Sequence, residues 1–201
     1  MITLLNKILS QSKNFNYLNL AFQKIKKETE IKKIFKAIEE FSENSEIRYV
    51  GGCVRKALCG QKIDDIDLAT SLKPEEVKER LVKNGVKVIE TGISHGTVTA
   101  VIKQIRFEIT TLRKDISTDG RHAEVEFTLD WEEDSLRRDF TINAIYADIE
   151  GRVYDPQNGI SDLKDGKIKF IGIAEERIQE DYLRILRYLR FFSHYSKINH
   201  D

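Results

Sequence analysis

The chain has 201 residues, 40% hydrophobic and 33% charged, with 33 Lys plus Arg balanced by 33 Asp plus Glu. That is enough for one ordinary domain and part of a second, with a core of its own. A net charge of zero excludes a nucleic-acid binder that relies on overall positive charge, and no apolar run approaches the ~18 residues that cross a bilayer.

Residues 1–27 hold five lysines and no acid. Arginine is absent there and no cleavage pattern follows, so an amphipathic N-terminal helix is expected rather than a transit peptide. From Glu30 to Phe41, apolar residues at 31, 34, 35, 38 and 41 form a helical stripe. "IRYV" (47–50) reads as a strand, Gly51-Gly52 breaks it, and "CVRKALC" (53–59) resumes helical spacing. Cys53 and Cys59, the only cysteines, fit neither a zinc pair nor a redox pair. They are expected as small buried residues of one short helix in a reducing compartment. The histidines form no metal pattern, and the terminal "NHD" (199–201) reads as a chain end.

"IDDIDLAT" (63–70) alternates and predicts a strand. Ser71 and Pro74 open a helix that Gly85 ends. "VKVIE", "TVTAVI" and "IRFEITTL" are short strands of a mixed or antiparallel sheet. Residues 113–124, polar and carrying Gly120, read as a mobile loop. Residues 132–155 predict a short helix, a tight segment and a hairpin turning at Glu150-Gly151. "ISDLKDG" is another short helix before Gly166. From Ala174 onward the pattern is helical. Tyr182, Ile185, Leu186, Leu189 and Phe192 form a stripe with no obvious partner, and Arg184, Arg187 and Arg190 lie off it.

Two pairs of residues carry chemistry. In a strand, Asp65 and Asp67 point the same way. Like charges ~6 Å apart repel by roughly 3 kcal/mol at an effective dielectric of 20. A divalent cation compensates that repulsion. Hard oxygens without Cys or His suggest Mg²⁺. Glu108, mid-strand between core-facing Phe107 and Ile109, is the candidate third acid; its bland alternative is a residue on the wet face. Gly51-Gly52 permits φ > 0 and close approach of a ligand to the backbone, and the helix after it offers free N–H groups, a plausible triphosphate cradle.

Together "VGGCVRKALCG…DDIDLAT", "TGISHGTVTAVI", "FEITTLRKDISTDGRHAEV", "RRDFTINAIYAD", "YDPQNGISDLKDGKI" and "RIQEDYLRILRYLRF" resemble, in order, the head and early neck of class II tRNA nucleotidyltransferases. These are the CCA-adding enzymes and their bacterial poly(A) polymerase relatives. The resemblance covers roughly residues 47–195. It implies an α/β (α+β) fold: a nucleotidyltransferase-type mixed sheet with flanking helices, then the start of an all-helical neck. The division would be an N-terminal helical extension (1–45), a catalytic head (46–172) and the start of a helical neck (173–201), expected to be truncated and incomplete without C-terminal tRNA-binding regions. It further implies that Asp65 and Asp67 hold Mg²⁺, with Glu108 the third catalytic acid. Gly51, Gly52 and Arg55 would meet the triphosphate; Arg138, Asp139 and Asn143 the sugar and phosphates; Glu180, Asp181 and Arg184 the base. Lys56 stands where the family usually has Asp or Asn, and Tyr182 where proline or a small residue is commoner.

The base-reading assignment has a physical rationale. Asp181 and Arg184, three apart, would share a helix face. Ionised Asp only accepts hydrogen bonds and Arg only donates, which matches the amine and ring nitrogen of cytosine or adenine and mismatches guanine or uracil. An ordinary surface ion pair is the alternative, and Arg137 and Arg138 beside Asp134 and Asp139 could likewise be a surface charge cluster, with Phe140 and Ile142 as core anchors. The expected reaction is attack of a tRNA 3′-hydroxyl on the α-phosphate of CTP or ATP, by a two-metal mechanism and without a covalent intermediate. Poly(A) synthesis, or nucleotide binding without turnover in a chain lacking tRNA-gripping regions, are the alternatives. A cytoplasmic, non-membrane protein is expected.

Overall fold

The computed structural model describes residues 29–39, 46–90, 92, 95–119 and 122–197. The helix expected before residue 28 and the terminal "NHD" lie outside the described residues.

The first described helix, α1 (Thr29–Glu39), carries the stripe read from the sequence as far as Ile38; Phe41 lies outside the described residues. Ile31, Ile34 and Ile38 are completely buried, and Phe35 lies 5.0 Å, ring to ring, from Tyr49. Each such side chain stabilises the fold by about 1.5–3 kcal/mol through burial. Strand β1 (Ile47–Val50) runs into helix α2 (Gly52–Leu58) through the glycine turn. Strand β2 (Asp67–Thr70) follows, then helix α3 (Pro74–Lys83) and strands β3 (Lys87–Ile89), β4 (Thr97–Ile102) and β5 (Ile105–Thr111). With β8 (Tyr146–Ala147) and β9 (Val153–Tyr154) they form one mixed sheet of order β3-β4-β5-β2-β1-β8-β9. Only β2 and β5 pair in parallel; the other pairs are antiparallel.

Alternation sorts the side chains of this sheet. Tyr49, Leu68, Phe107 and Ile109 point to one face and join the α1 stripe in the main core. Val50 and Ala69 point to the other and pack with Leu112, Trp131 and Tyr146. Asp67 and Glu108 belong to this second face. Trp131 of α4 (Trp131–Leu136) packs on this second face, while beyond a 3₁₀ turn (Thr141–Asn143) helix α5 (Gly159–Asp165) sets Ile160 and Leu163 against the main core. Gly159 allows α5 to press on that turn, since a Cβ there would stand 2.1 Å from the Thr141 carbonyl oxygen. Helices α6 (Ala174–Glu180) and α7 (Leu183–Tyr195) close the chain, with Phe191 packed on Phe140.

Four expectations are corrected. Strand β2 starts at Asp67, so Asp65 sits in the approach to the strand and not in it. Residues 113–124 are not a loop: β6 (Arg113–Asp119) and β7 (His122–Phe127) form a two-stranded antiparallel ribbon with an irregular register at Asp115/Ser117. Cys53 is buried, but Cys59 caps the end of α2 and is exposed. The helix read from Ala174 breaks at Asp181, whose backbone is extended (φ −155°, ψ 105°). Its side chain accepts the Leu183 N–H at 3.0 Å and so opens a new helix. Of the expected stripe, Tyr182, Ile185, Leu186 and Leu189 are exposed, whereas Phe192 is half-buried, its ring 5.8 Å from that of Tyr188.

Candidate active site

The glycine turn is dictated by backbone conformation. Gly51 has φ +69° and ψ −122°, a combination reserved for glycine. The nearest atom to a Cβ there would be 3.7 Å away, so space is not the constraint. The turn and α2 open onto a cleft of about 430 Å³. Gly51, Gly52 and Arg55 line one part of it, Arg138, Asp139 and Asn143 a second, and Asp181, Arg184 and Arg187 a third, with Asp67 among the lining residues. A second cleft of about 330 Å³ shares Gly52, Arg55, Asp67, Arg190 and Phe191 with the first and adds Lys56 and Asp65. Asp67 therefore belongs to both clefts and Asp65 to the second. Glu108 lines neither, but it is the direct register partner of Asp67 on β5.

The three acids do feel one another. Burial raises the Asp67 carboxyl above its usual range, and the charges of Glu108 and Asp65 raise it further, against the opposing fields of Arg138 and Lys56. Among the described residues no three His, Cys or carboxylate side chains already converge as a metal cage. The donor set is two carboxylates on the wall of an open cleft. It fits Mg²⁺, which binds through one or two carboxylates plus substrate oxygens and keeps several waters.

The RRD segment is built around Asp134, for which the sequence left a surface charge cluster open as the bland alternative. Asp134 is completely buried. It accepts from Arg137 Nε (2.8 Å), Arg138 Nη2 (2.9 Å), the Tyr146 hydroxyl (2.7 Å) and the Arg113 backbone N–H (3.2 Å). Burial alone would raise its pKa; the charges of Arg138 and Arg137 and the Tyr146 hydrogen bond outweigh that and hold it at about 2. Arg138 Nε also donates to Tyr146 at 3.0 Å, which fixes the guanidinium at the cleft.

A chain of contacts crosses the first cleft. Arg55 donates to Asn143 Oδ1, Asn143 Nδ2 donates to Asp139 Oδ1 at 3.0 Å, and Arg187 donates to Asp139 Oδ2 through Nε (2.7 Å) and Nη2 (2.6 Å). Arg55 also lies 4.5 Å from the Phe191 ring centre and 5.1 Å from that of Tyr195, both on α7. The Tyr195 hydroxyl donates to Gln61 at 3.0 Å.

At the base-reading end, Asp181 and Arg184 do not share a helix, because Asp181 precedes α7. Both nonetheless line the first cleft. Glu180 does not line it. Its carboxylate binds Arg184 at 2.5 Å and Arg177 at 2.6 Å, and those charges lower its pKa against the effect of burial. Arg177 in turn donates to the carbonyls of Arg137 (2.7 Å) and Arg138 (3.0 Å), tying α6 to the RRD segment. Sequence reasoning missed Asp134, Tyr146, Arg177 and Phe191 as parts of this assembly. Arg187 carried a signal, its spacing of three from Arg184 and Arg190.

A mixed sheet that brings paired carboxylates beside a glycine turn and an arginine-lined cleft defines a nucleotidyltransferase fold. The chain belongs to the poly A polymerase head-domain family, whose family model matches residues 47–169. It is 53% identical over 151 residues to the human (Homo sapiens) CCA tRNA nucleotidyltransferase 1, mitochondrial, covering 75% of this chain and 35% of that protein. It is 45% identical over 153 residues to a CCA-adding enzyme of Lactobacillus delbrueckii subsp. bulgaricus, covering 75% of this chain and 38% of that one. The structure is similar to that of the Bacillus stearothermophilus CCA-adding enzyme in complex with CTP (TM-score 0.70, 39% identity, 80% of this chain and 37% of that). It is also similar to a tRNA nucleotidyltransferase complexed with a primer tRNA and an incoming ATP analog (TM-score 0.63, 31% identity, 79% of this chain and 44% of that). The chain thus spans little more than a third of the length of the curated relatives it matches. Among the described residues no helix is long and apolar enough to cross a membrane.

Proposed function

We propose that the chain is the nucleotide-binding and catalytic part of an RNA nucleotidyltransferase that adds C and A to tRNA 3′ ends from CTP and ATP. The observation that carries this reading is the presence of Asp67 in both clefts, with the glycine turn and the Asp181–Arg184 pair in the first. Asp65 and Asp67 would hold Mg²⁺, with Glu108 adding negative charge beside them. A bound Mg²⁺ supplies neutralisation of phosphate charge and a lowered pKa for the attacking hydroxyl. The chain's own residues do the rest. Arg138, Asp139 and Asn143 orient the sugar and phosphates, and Gly51, Gly52 and Arg55 receive the triphosphate. Asp181 accepts from the exocyclic amine of C or A while Arg184, braced by Glu180, donates to the ring nitrogen. Guanine and uracil leave both groups unpaired, at a cost on the order of 1–3 kcal/mol each.

The similarity to an enzyme solved with CTP and to another solved with primer tRNA supports CCA addition over poly(A) synthesis. Incubation with tRNA ending at the discriminator base, with labelled CTP or ATP supplied separately, tests it. Incorporation of C before A is expected; growth of poly(A) on arbitrary RNA refutes it. Thermal stabilisation by CTP or ATP, greater than by GTP, tests nucleotide recognition independently of turnover. The human relative is named as a mitochondrial enzyme, which supports organellar use beside the expected cytoplasmic one.

A further inference from the structure

We infer that Lys56 is a specificity-determining contact for the polyphosphate tail of the nucleotide, a role that rests on the nucleotide-binding reading above. Lys56 lies one turn into α2 and lines the second cleft, with Asp65, Asp67 and Arg55. The second cleft shares five lining residues with the first, so a ligand held by its base and sugar in the first has a continuous path into it.

That path passes carboxylates that repel a polyphosphate, so cations on the wall decide whether the tail is accepted. Arg55 is already engaged by Asn143, Phe191 and Tyr195. Lys56 is held only loosely. It pairs with Asp64 at 3.2 Å, and the Asp64 side chain is 53% exposed. Exposed pairs of this kind are weak. Asp64 also has Lys62 at 3.3 Å, so it keeps a partner when Lys56 leaves. A flexible ammonium with a replaceable partner, beside the acid pair, is suited to follow a phosphate tail as a mobile point charge.

Calorimetric titration of the purified chain with CMP and with CTP, each with Mg²⁺, tests the assignment in wild type, Lys56→Gln, Lys56→Arg and Asp64→Asn. Wild type prefers CTP. In Lys56→Gln the CTP affinity falls about tenfold, the worth of one charge-assisted contact, while CMP affinity is unchanged. Lys56→Arg restores most of the loss. Asp64→Asn, which frees Lys56, keeps or tightens CTP binding. Equal weakening of CMP and CTP in Lys56→Gln, no weakening of either, or a CTP loss in Asp64→Asn matching that of Lys56→Gln, overturns the role of Lys56 alone. A wild-type chain that does not distinguish CTP from CMP overturns the nucleotide reading and this inference with it.

Discussion

Replacing Asp134 by Asn should reveal how strongly one buried carboxylate supports the site. Each pH unit by which a carboxyl titrates below its unfolded value is about 1.36 kcal/mol. Asp134 is lowered from 3.8 to about 2, which contributes about 2.5 kcal/mol to stability. The sign follows from the direction. The contribution is fully present above the unfolded value of 3.8 and is lost as pH falls through about 2. At neutral pH, Asp134→Asn also leaves the half-buried Arg138 without its counter-charge at the cleft, so a loss of about 3 kcal/mol is expected. Urea unfolding can be followed by the fluorescence of Trp131, the only tryptophan, whose ring meets Tyr146 edge-on at 5.2 Å. Between pH 4 and pH 2 the wild type should lose about 1.8 kcal/mol more than Asp134→Asn does, since part of the contribution survives until pH falls below the folded value of about 2. Identical pH slopes for the two proteins would refute the reasoning. A direct NMR titration of the wild-type carboxyl gives the same answer if the variant does not fold.

Further outcomes are expected at the site itself. Asp67→Asn should stabilise the free protein near neutral pH, because the raised carboxyl is penalised in its ionised form above its unfolded pKa and relieved below it. The same variant should lose Mg²⁺-dependent stabilisation by CTP; a lower melting temperature without ligand contradicts the repulsion argument. Gly51→Ala forces a side chain into φ +69° and should cost about 1–3 kcal/mol; an unchanged unfolding midpoint refutes that. Arg187→Met removes both donors to Asp139 Oδ2. It should weaken CTP binding several-fold, the scale of one charge-assisted contact, with little change in melting temperature, and unaltered affinity would show that the Asp139–Asn143–Arg55 chain does not depend on it.

Local signals carried much of this architecture in the sequence. The stripe of α1, the break at Gly51-Gly52 and the alternation of Phe107, Glu108 and Ile109 each follow from the period of one element, and all three are found. What was not legible depended on tertiary context. Arg137, Arg138 and Asp134 look like a surface charge cluster until Trp131, Tyr146 and Leu112 cover one side of it. The β6–β7 ribbon was hidden because its residues are mostly polar, which is the mark of a loop unless two strands pair. The break at Asp181 was hidden because the apolar spacing continues through it. Only the extended backbone and the Leu183 cap reveal two helices. Asp65 was read one step too regularly: alternation extended the strand to it, while the sheet takes up the chain at Asp67.

The clasp of α7 over Arg55 has a consequence for biosynthesis. Tyr195 reaches Gln61 across 134 positions of sequence, so the aromatic wall over Arg55 is absent until translation has passed α7. A nascent polypeptide can assemble its sheet early and bring Asn143 to Arg55, yet the aromatic cover of Phe191 and Tyr195 arrives only when α7 leaves the ribosome and docks. Long-range closure of this sort is slow relative to local pairing, so maturation of the arginine should lag behind formation of the strands.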